Sequence, residues 1–335
     1  MQLVDDLAAE TGFAGVVRVD RGGETLIEAA YGLADRAHGV PMTTGTRLAV
    51  ASGSKVFTAL AVMALVERRL LALGTTARSL LGADLPLVAD DVTVEHLLAH
   101  RSGIGDYFDE EVDLPVDAYR LPVPVHALDT TEAFLPALDG FPTAFPAGER
   151  FAYCNGGYVL LALLAERAAG RGFHDLVHDL VLTPARMADT GYLRSDELPG
   201  DAGIGYLAPP DDPDRPLRSN LLHLPVRGSG DGGAYSTTAD LYRFWLALFG
   251  GRIVAEQTLR EMLHPRSTFP SGRYLYGLGL RRYVSADVVQ LEGYDAGVSF
   301  HSWFQPGSGL TATVIANTSG GAGPVMDAIE TALFC

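Results

Sequence analysis

Ala51-Ser52-Gly53-Ser54-Lys55-Val56-Phe57-Thr58 is the stretch around which the chain is organised. Lys55 is the sole lysine in 335 residues; every other one of the 25 lysine-plus-arginine positions is Arg. A guanidinium does not usefully release its proton, whereas a buried amine can, so a site that needs a neutral amine has to keep Lys. Ser52 stands three residues before it, and an (i, i+3) pair on a helix shares one face. Val56, Phe57, Leu60, Ala61, Ala64 and Leu65 recur at helical spacing, which predicts a helix from Ser52 to about Leu71. Ser52 would then sit at a helix N-terminus, where free N–H groups and the dipole favour developing negative charge. A serine before a helix is most often only an N-cap, so the motif needs support from elsewhere in the chain.

Composition removes several classes of function. The net charge of −16 argues against nucleic acid or an anionic membrane as partner, since both require a basic face. No run of about 18 apolar residues is present, so no span is expected. The opening Met1-Gln2-Leu3-Val4-Asp5-Asp6 has neither a basic nor an apolar leader region. Two cysteines, Cys154 and Cys335, make no disulfide framework, and a cytoplasmic location is the expectation.

Along the chain, residues 3–11 read as a helix, and Gly15–Asp20 with Thr25–Tyr31 as a hairpin around Gly22-Gly23. Helices are expected over Val92–Ala99, near Thr131–Ala137, over Tyr158–Ala169 with Gly170 closing it, over Phe173–Leu182, and from the Thr237-Thr238-Ala239-Asp240 cap to Leu248. Tyr274–Tyr283, Val288–Glu292, Val298–Phe304 and Leu310–Asn317 read as successive antiparallel strands before a last helix over Gly323–Phe334. Strands at both ends with helices between predict an α+β fold, an antiparallel sheet formed by both termini plus an inserted all-helical region. The expected division is 1–48 with 245–335 for the sheet and its flanking helices, and 49–244 for the mainly helical region. The segments 104–148 and 199–233 lack periodicity and read as pocket walls.

Two further constellations carry chemistry. In Tyr153-Cys154-Asn155-Gly156-Gly157, Tyr153 and Asn155 point the same way if the segment is extended. A phenol near a cation loses its proton more easily, and an amide can orient both an amine and a substrate carbonyl; the plain alternative is a Gly-rich turn with a packed Tyr153. Cys154 reads as a small buried hydrophobe. In Leu291-Glu292-Gly293-Tyr294-Asp295-Ala296-Gly297-Val298, a turn feeds a strand, and the Gly297 N–H could join the Ser52 N–H in an oxyanion hole. The pairs His96/His100 and His174/His178 lie at (i, i+4) but lack a metalloprotease motif, and no metal is expected. No Gly-x-Ser-x-Gly elbow and no phosphate-binding glycine pattern occurs.

Together these residues resemble the serine hydrolases of the β-lactamase and penicillin-binding-protein superfamily, on the side of the class C β-lactamases, D-alanyl-D-alanine carboxypeptidases and related esterases. The likeness runs from about residue 14 to 317. It is carried by Ser52-Gly53-Ser54-Lys55, His96-Leu97-Leu98-Ala99-His100-Arg101-Ser102-Gly103, Tyr153-Cys154-Asn155 and Gly232-Gly233-Ala234-Tyr235-Ser236-Thr237. The resemblance implies an antiparallel sheet flanked by helices with the site in a cleft, and no cofactor. It makes Ser52 the acylated nucleophile, Lys55 the amine that takes its proton, Tyr153 a second proton-transfer group and Asn155 a substrate contact. The family's third motif is Lys or His, then Thr or Ser, then Gly; aligned here, that stretch reads Tyr294, Asp295, Ala296 and then Gly297. A missing cation with an added carboxylate is expected to disfavour carboxylate-bearing substrates. The implied partner is a small ester, amide or peptide, the alternatives being a true β-lactamase, a D-alanyl peptidase or a weakly catalytic sensor of the same fold.

Overall fold

In the computed structural model, residues 2–110, 112, 114–116, 118–208 and 216–334 are described; Cys335 and parts of both expected pocket walls lie outside them. The centre is an eight-stranded antiparallel sheet. Its order is Glu24–Tyr31, Gly15–Arg21, Leu310–Ala316, Val298–Gln305, Val289–Asp295, Arg281–Tyr283, Tyr274–Tyr276 and Ser267–Thr268. The first strand of the chain thus pairs with the last, Val16 opposite Ile315 and Val19 opposite Ala312.

Alternation along the strands sorts side chains into two layers. Val17, Val19, Trp303, Ala312 and Val314 face the helices Gln2–Thr11 and Ala322–Phe334, where they meet Val4, Val325 and Ile329. Val16, Leu291, Phe300, Phe304 and Ile315 face the other way, onto the helices Lys55–Glu67, Asn155–Ala169 and Thr238–Phe249. Because both faces are covered, every residue of Leu310–Ala316 is buried. On the inner face Trp245 Nε1 donates to Ser302 Oγ at 2.8 Å.

The expected strand Tyr274–Tyr283 is instead two strands, Tyr274–Tyr276 and Arg281–Tyr283, paired with each other. Between them the Leu278 N–H goes to Met262 O and the chain dips to the helical layer. Gly279 there has φ +76°, and a Cβ on it would come 2.2 Å from the Ala59 Cβ. The helix expected from Ser52 begins at Lys55, after a 3-10 turn over Ala51–Ser54. It ends at Glu67, not Leu71, because Arg69 takes φ +61° and Leu70 N–H returns to Leu65 O, an αL C-cap with the Schellman bonds. The helix expected from Tyr158 starts earlier, at Asn155, and the one over 92–99 is shorter, Val94–Leu98. Thr237 caps its helix as expected, its Oγ1 accepting the Asp240 N–H at 3.1 Å, and Gly170 closes Asn155–Ala169.

Two glycines let the sheet press on the 51–54 turn. A Cβ on Gly53 would sit 2.3 Å from the Phe300 ring, and one on Gly293 would sit 2.1 Å from Val50 O. Strand Val289–Asp295 therefore runs directly against the turn that carries Ser52. Among the described residues no helix is long and apolar enough to cross a membrane.

Candidate active site

Ser52 lies in a turn forced by Ala51, whose φ of +44° is a conformation that costs a non-glycine residue energy. The Gly53 N–H bonds Val50 O at 2.9 Å and closes the turn. One helical step later the Lys55 side chain runs back beneath Ser52, only 4% exposed. Its Nζ lies 3.0 Å from Ser52 Oγ, 2.7 Å from Asn155 Oδ1 and 2.5 Å from Asp231 O.

Which way the protons point follows from chemistry. The Asn155 amide nitrogen donates to Phe108 O at 3.0 Å and Glu110 Oε1 at 3.2 Å, both acceptors, so its oxygen faces Lys55. Asp231 O is likewise only an acceptor. Two of the three Nζ neighbours only accept and take hydrogens from it, and the remaining face of the nitrogen meets the Ser52 hydroxyl.

The rest of the site converges on this group. Asn155 opens its helix, and the Asp106 carboxylate caps it, accepting Asn155 N–H at 2.5 Å and Gly156 N–H at 2.8 Å. Burial pushes the Asp106 carboxyl up to about 6. Tyr153, in the segment before the helix, has its ring 4.9 Å from Lys55 Nζ and lines a recess together with Ser52. Asp231 arrives on a Gly-rich turn: Thr58 Oγ1 donates to Gly230 O at 2.7 Å, and a Cβ on Gly230 would lie 2.0 Å from Tyr158 O. Its carboxylate accepts the Tyr107 hydroxyl. Cys154 packs as a small buried residue, its Sγ accepting Gly157 N–H at 3.2 Å, and burial raises its thiol.

Two expectations are corrected. The Tyr153 phenol is not acidified: burial raises it well above the ordinary value and Glu110 adds to the rise, outweighing Ser52 and Arg281. It is therefore a protonated donor at neutral pH. The Gly297 N–H donates to Ser319 Oγ at 2.8 Å, so it is not free for an oxyanion. The glycine that abuts the Ser52 turn is Gly293. Tyr294 and Asp295 do line the same solvent-open cleft as Ser52. Tyr294 is 55% exposed at its rim. Asp295 is part-buried, and desolvation together with Asp231 and Glu110 pushes its carboxyl up to about 7, against Ala296 N–H and Lys55.

Several site residues escaped sequence reasoning. Asp106, Tyr107 and Glu110 lie in a segment without periodicity, and only their acidic and aromatic character marked them. Asp231 is the sole carboxylate in Gly228–Gly233, which was a usable signal. Arg281 forms an ion pair with Glu292 on the neighbouring strand, and both line a cavity with Ser52 and Tyr153. The histidine pairs separate: His96 turns back into a capping box with Thr93, while His174 Nε2 lies 2.9 Å from Gly228 O.

Comparison with known proteins supplies the context for this geometry. A model of the family described as Beta-lactamase matches residues 1–334. The crystal structure of a penicillin-binding protein from Bacillus halodurans superposes with a TM-score of 0.92 at 35% identity, covering 98% of this chain and 100% of that one. The esterase EstB of Burkholderia gladioli is 29% identical over 98% of this chain and 93% of its own length. A penicillin-binding protein of Bacillus subtilis is 28% identical over 83% of this chain, which spans 61% of that protein.

The Asp295 environment has a consequence for stability. Its folded-state pKa of about 7 lies above the ordinary 3.8, so the folded protein holds this proton more tightly than the unfolded chain. Stability contributed by the group is therefore present below about pH 4 and lost as pH rises toward 7. Asp295→Asn keeps the Oδ1 that accepts Ala296 N–H at 2.8 Å. It should raise the melting temperature by a few degrees at pH 8 and leave it unchanged at pH 4. Equal shifts at both pH values would contradict this.

Proposed function

The chain belongs to the beta-lactamase family, and from that premise we propose that it is a serine hydrolase that cleaves small esters or amides by two-step acyl transfer. The carrying observation is the Lys55 Nζ, 3.0 Å from Ser52 Oγ with two other neighbours that only accept. Ser52 Oγ attacks the carbonyl carbon while its proton passes to Lys55. Tyr153, protonated and on the same recess as Ser52, gives its proton to the leaving oxygen or nitrogen and regains one from Lys55. Water then attacks the acyl-enzyme, and the same groups return a proton to Ser52.

The oxyanion site follows from strand register. Tyr283 N–H donates to Val288 O at 3.0 Å, so even-numbered residues of this strand turn their polar groups toward the Arg281–Tyr283 neighbour. That neighbour's pairing ends with Arg281 opposite Gln290, and on that edge the strand runs on to Asp295 without it, paired only with Val298–Gln305 on the other. The Tyr294 N–H thus points past the end of its neighbour into the cleft, and we assign it, with the Ser52 N–H, as the oxyanion donor pair. Gly293 is then the glycine of the third motif, and the two positions before it are Leu291 and Glu292. The family's cation is replaced there by leucine, and Arg281, which lines a recess with Ser52, is paired with Glu292.

Charge around the nucleophile favours neutral or cationic substrates. Asp231 and Asp295 line one recess with Ser52, and a like charge at ~4 Å is worth up to about 4 kcal/mol at an effective dielectric near 20, before screening. A cytoplasmic, small-molecule-directed enzyme is the form this proposal takes.

Two measurements test it. Intact-mass analysis after exposure to a short-chain p-nitrophenyl ester should show one acyl adduct, mapping to Ser52. The adduct should be lost in Ser52→Ala, kept in Ser54→Ala and slowed at least about 100-fold in Lys55→Arg. An adduct on Ser54 or Cys154, or an unslowed Lys55→Arg, would sink the mechanism. The ratio of kcat/KM for the neutral ester over a carboxylate-bearing cephalosporin should rise between pH 6 and 8, as Asp295 ionises, and be flatter in Asp295→Asn. A ratio that favours the cephalosporin throughout would restore an ordinary β-lactamase.

A further inference from the structure

His100 has no part in that chemistry, yet it is wholly buried beside it. It takes φ +53°, a left-handed conformation that only a special need maintains in a residue with a Cβ. Two hydrogen bonds tie it to one short segment on either side of Tyr153. Its carbonyl accepts the Ala152 N–H at 2.9 Å, and its Nδ1 accepts the Cys154 N–H at 3.0 Å. Its ring lies stacked on Tyr153, with centroids 4.3 Å apart and planes 30° from parallel. Tyr158 and Tyr276 flank it at 4.8 and 5.1 Å.

We propose that His100 is the positioning residue for Tyr153: its Nδ1 and ring face, held by the left-handed backbone, set the phenol against Ser52. Burial, and after it the charge of Lys55, holds the imidazole well below its ordinary pKa, so it stays uncharged. Because Nδ1 accepts from a backbone N–H, the ring proton sits on Nε2, which has no oxygen or nitrogen partner among the described residues. That unmatched N–H is a cost the core carries in return for the Nδ1 acceptor. Phenylalanine would fill the same space without it, and would leave the Cys154 N–H buried and unpaired. Asparagine supplies an oxygen near the Nδ1 position and tolerates positive φ, so it is the conservative replacement.

The inference rests on the acyl-transfer reading, and the test separates the two. Steady-state hydrolysis of a short-chain p-nitrophenyl ester is compared for wild type, His100→Phe, His100→Asn, Tyr153→Phe and the double variant His100→Phe/Tyr153→Phe, each checked for wild-type melting. His100→Phe should lower kcat about 100-fold with KM within about twofold, and His100→Asn should recover to within about fivefold of wild type. In the Tyr153→Phe background the His100→Phe change should cost less than about threefold, because the group it positions is already gone. Should the Phe variant fail to fold, His100→Gln, whose amide reaches past the Nδ1 position, takes its place and must show the same loss. Wild-type kcat in the acceptor-less variant, a full multiplication of its loss onto Tyr153→Phe, or an Asn variant as slow as the Phe one would each overturn the proposal. A wild type with no ester turnover would sink the acyl-transfer reading together with it.

Discussion

One amine governs this site. Lys55 Nζ is buried among oxygens from three distant parts of the chain: Ser52, Asn155 and Asp231. A nitrogen with that many protons is costly to bury unless each finds an acceptor. The three segments are therefore constrained together by satisfaction of a single group, and a shift in any one leaves the others short of a partner. Asn155 is in turn fixed by Asp106 and Glu110, and Asp231 by the turn that Thr58 holds.

Close backbone approach makes the convergence possible. At Gly53, Gly230 and Gly293 the chain comes within a distance that no Cβ would allow, against Phe300, Tyr158 and Val50 respectively. The sheet consequently touches the nucleophile turn directly, through the Phe300 ring at Gly53 and backbone to backbone at Gly293. The same contact explains why a strand end unpaired on one edge reaches the cleft: the strand from Val289 is held along its inner face while its neighbour has already ended. Burial then tunes the groups within. Tyr153 is kept protonated, Asp295 is brought near neutrality and His100 is kept uncharged, each chiefly by desolvation.

Much of this was legible in the sequence for physical reasons. Strand-forming runs at both ends of the chain and a sole lysine one turn after a serine are local signals, and the terminal sheet and the Ser52–Lys55 contact follow from them. Tyr153 and Asn155 were also readable as neighbours, although Asn155 opens a helix and does not extend a strand. What could not be read depends on tertiary contact. The glycine of the third motif was placed at Gly297 because the stretch holds two glycines and only packing on Val50 selects Gly293. The single long strand from Tyr274 failed because Gly279 dives onto Ala59, a contact with no local trace. The acidity of Tyr153 was misjudged because proximity to a cation is visible in a motif while desolvation is not.

The central claim is that Lys55 is chemically coupled to Ser52. Since it is the only lysine, labelling with [13Cε]lysine gives one side-chain resonance that reports on this nitrogen alone. When a phosphonate ester occupies Ser52, that resonance should move, and in Ser52→Ala exposed to the same reagent it should stay where it was. A resonance that does not move in wild type, with Ser52 shown by mass to be fully modified, would contradict the account.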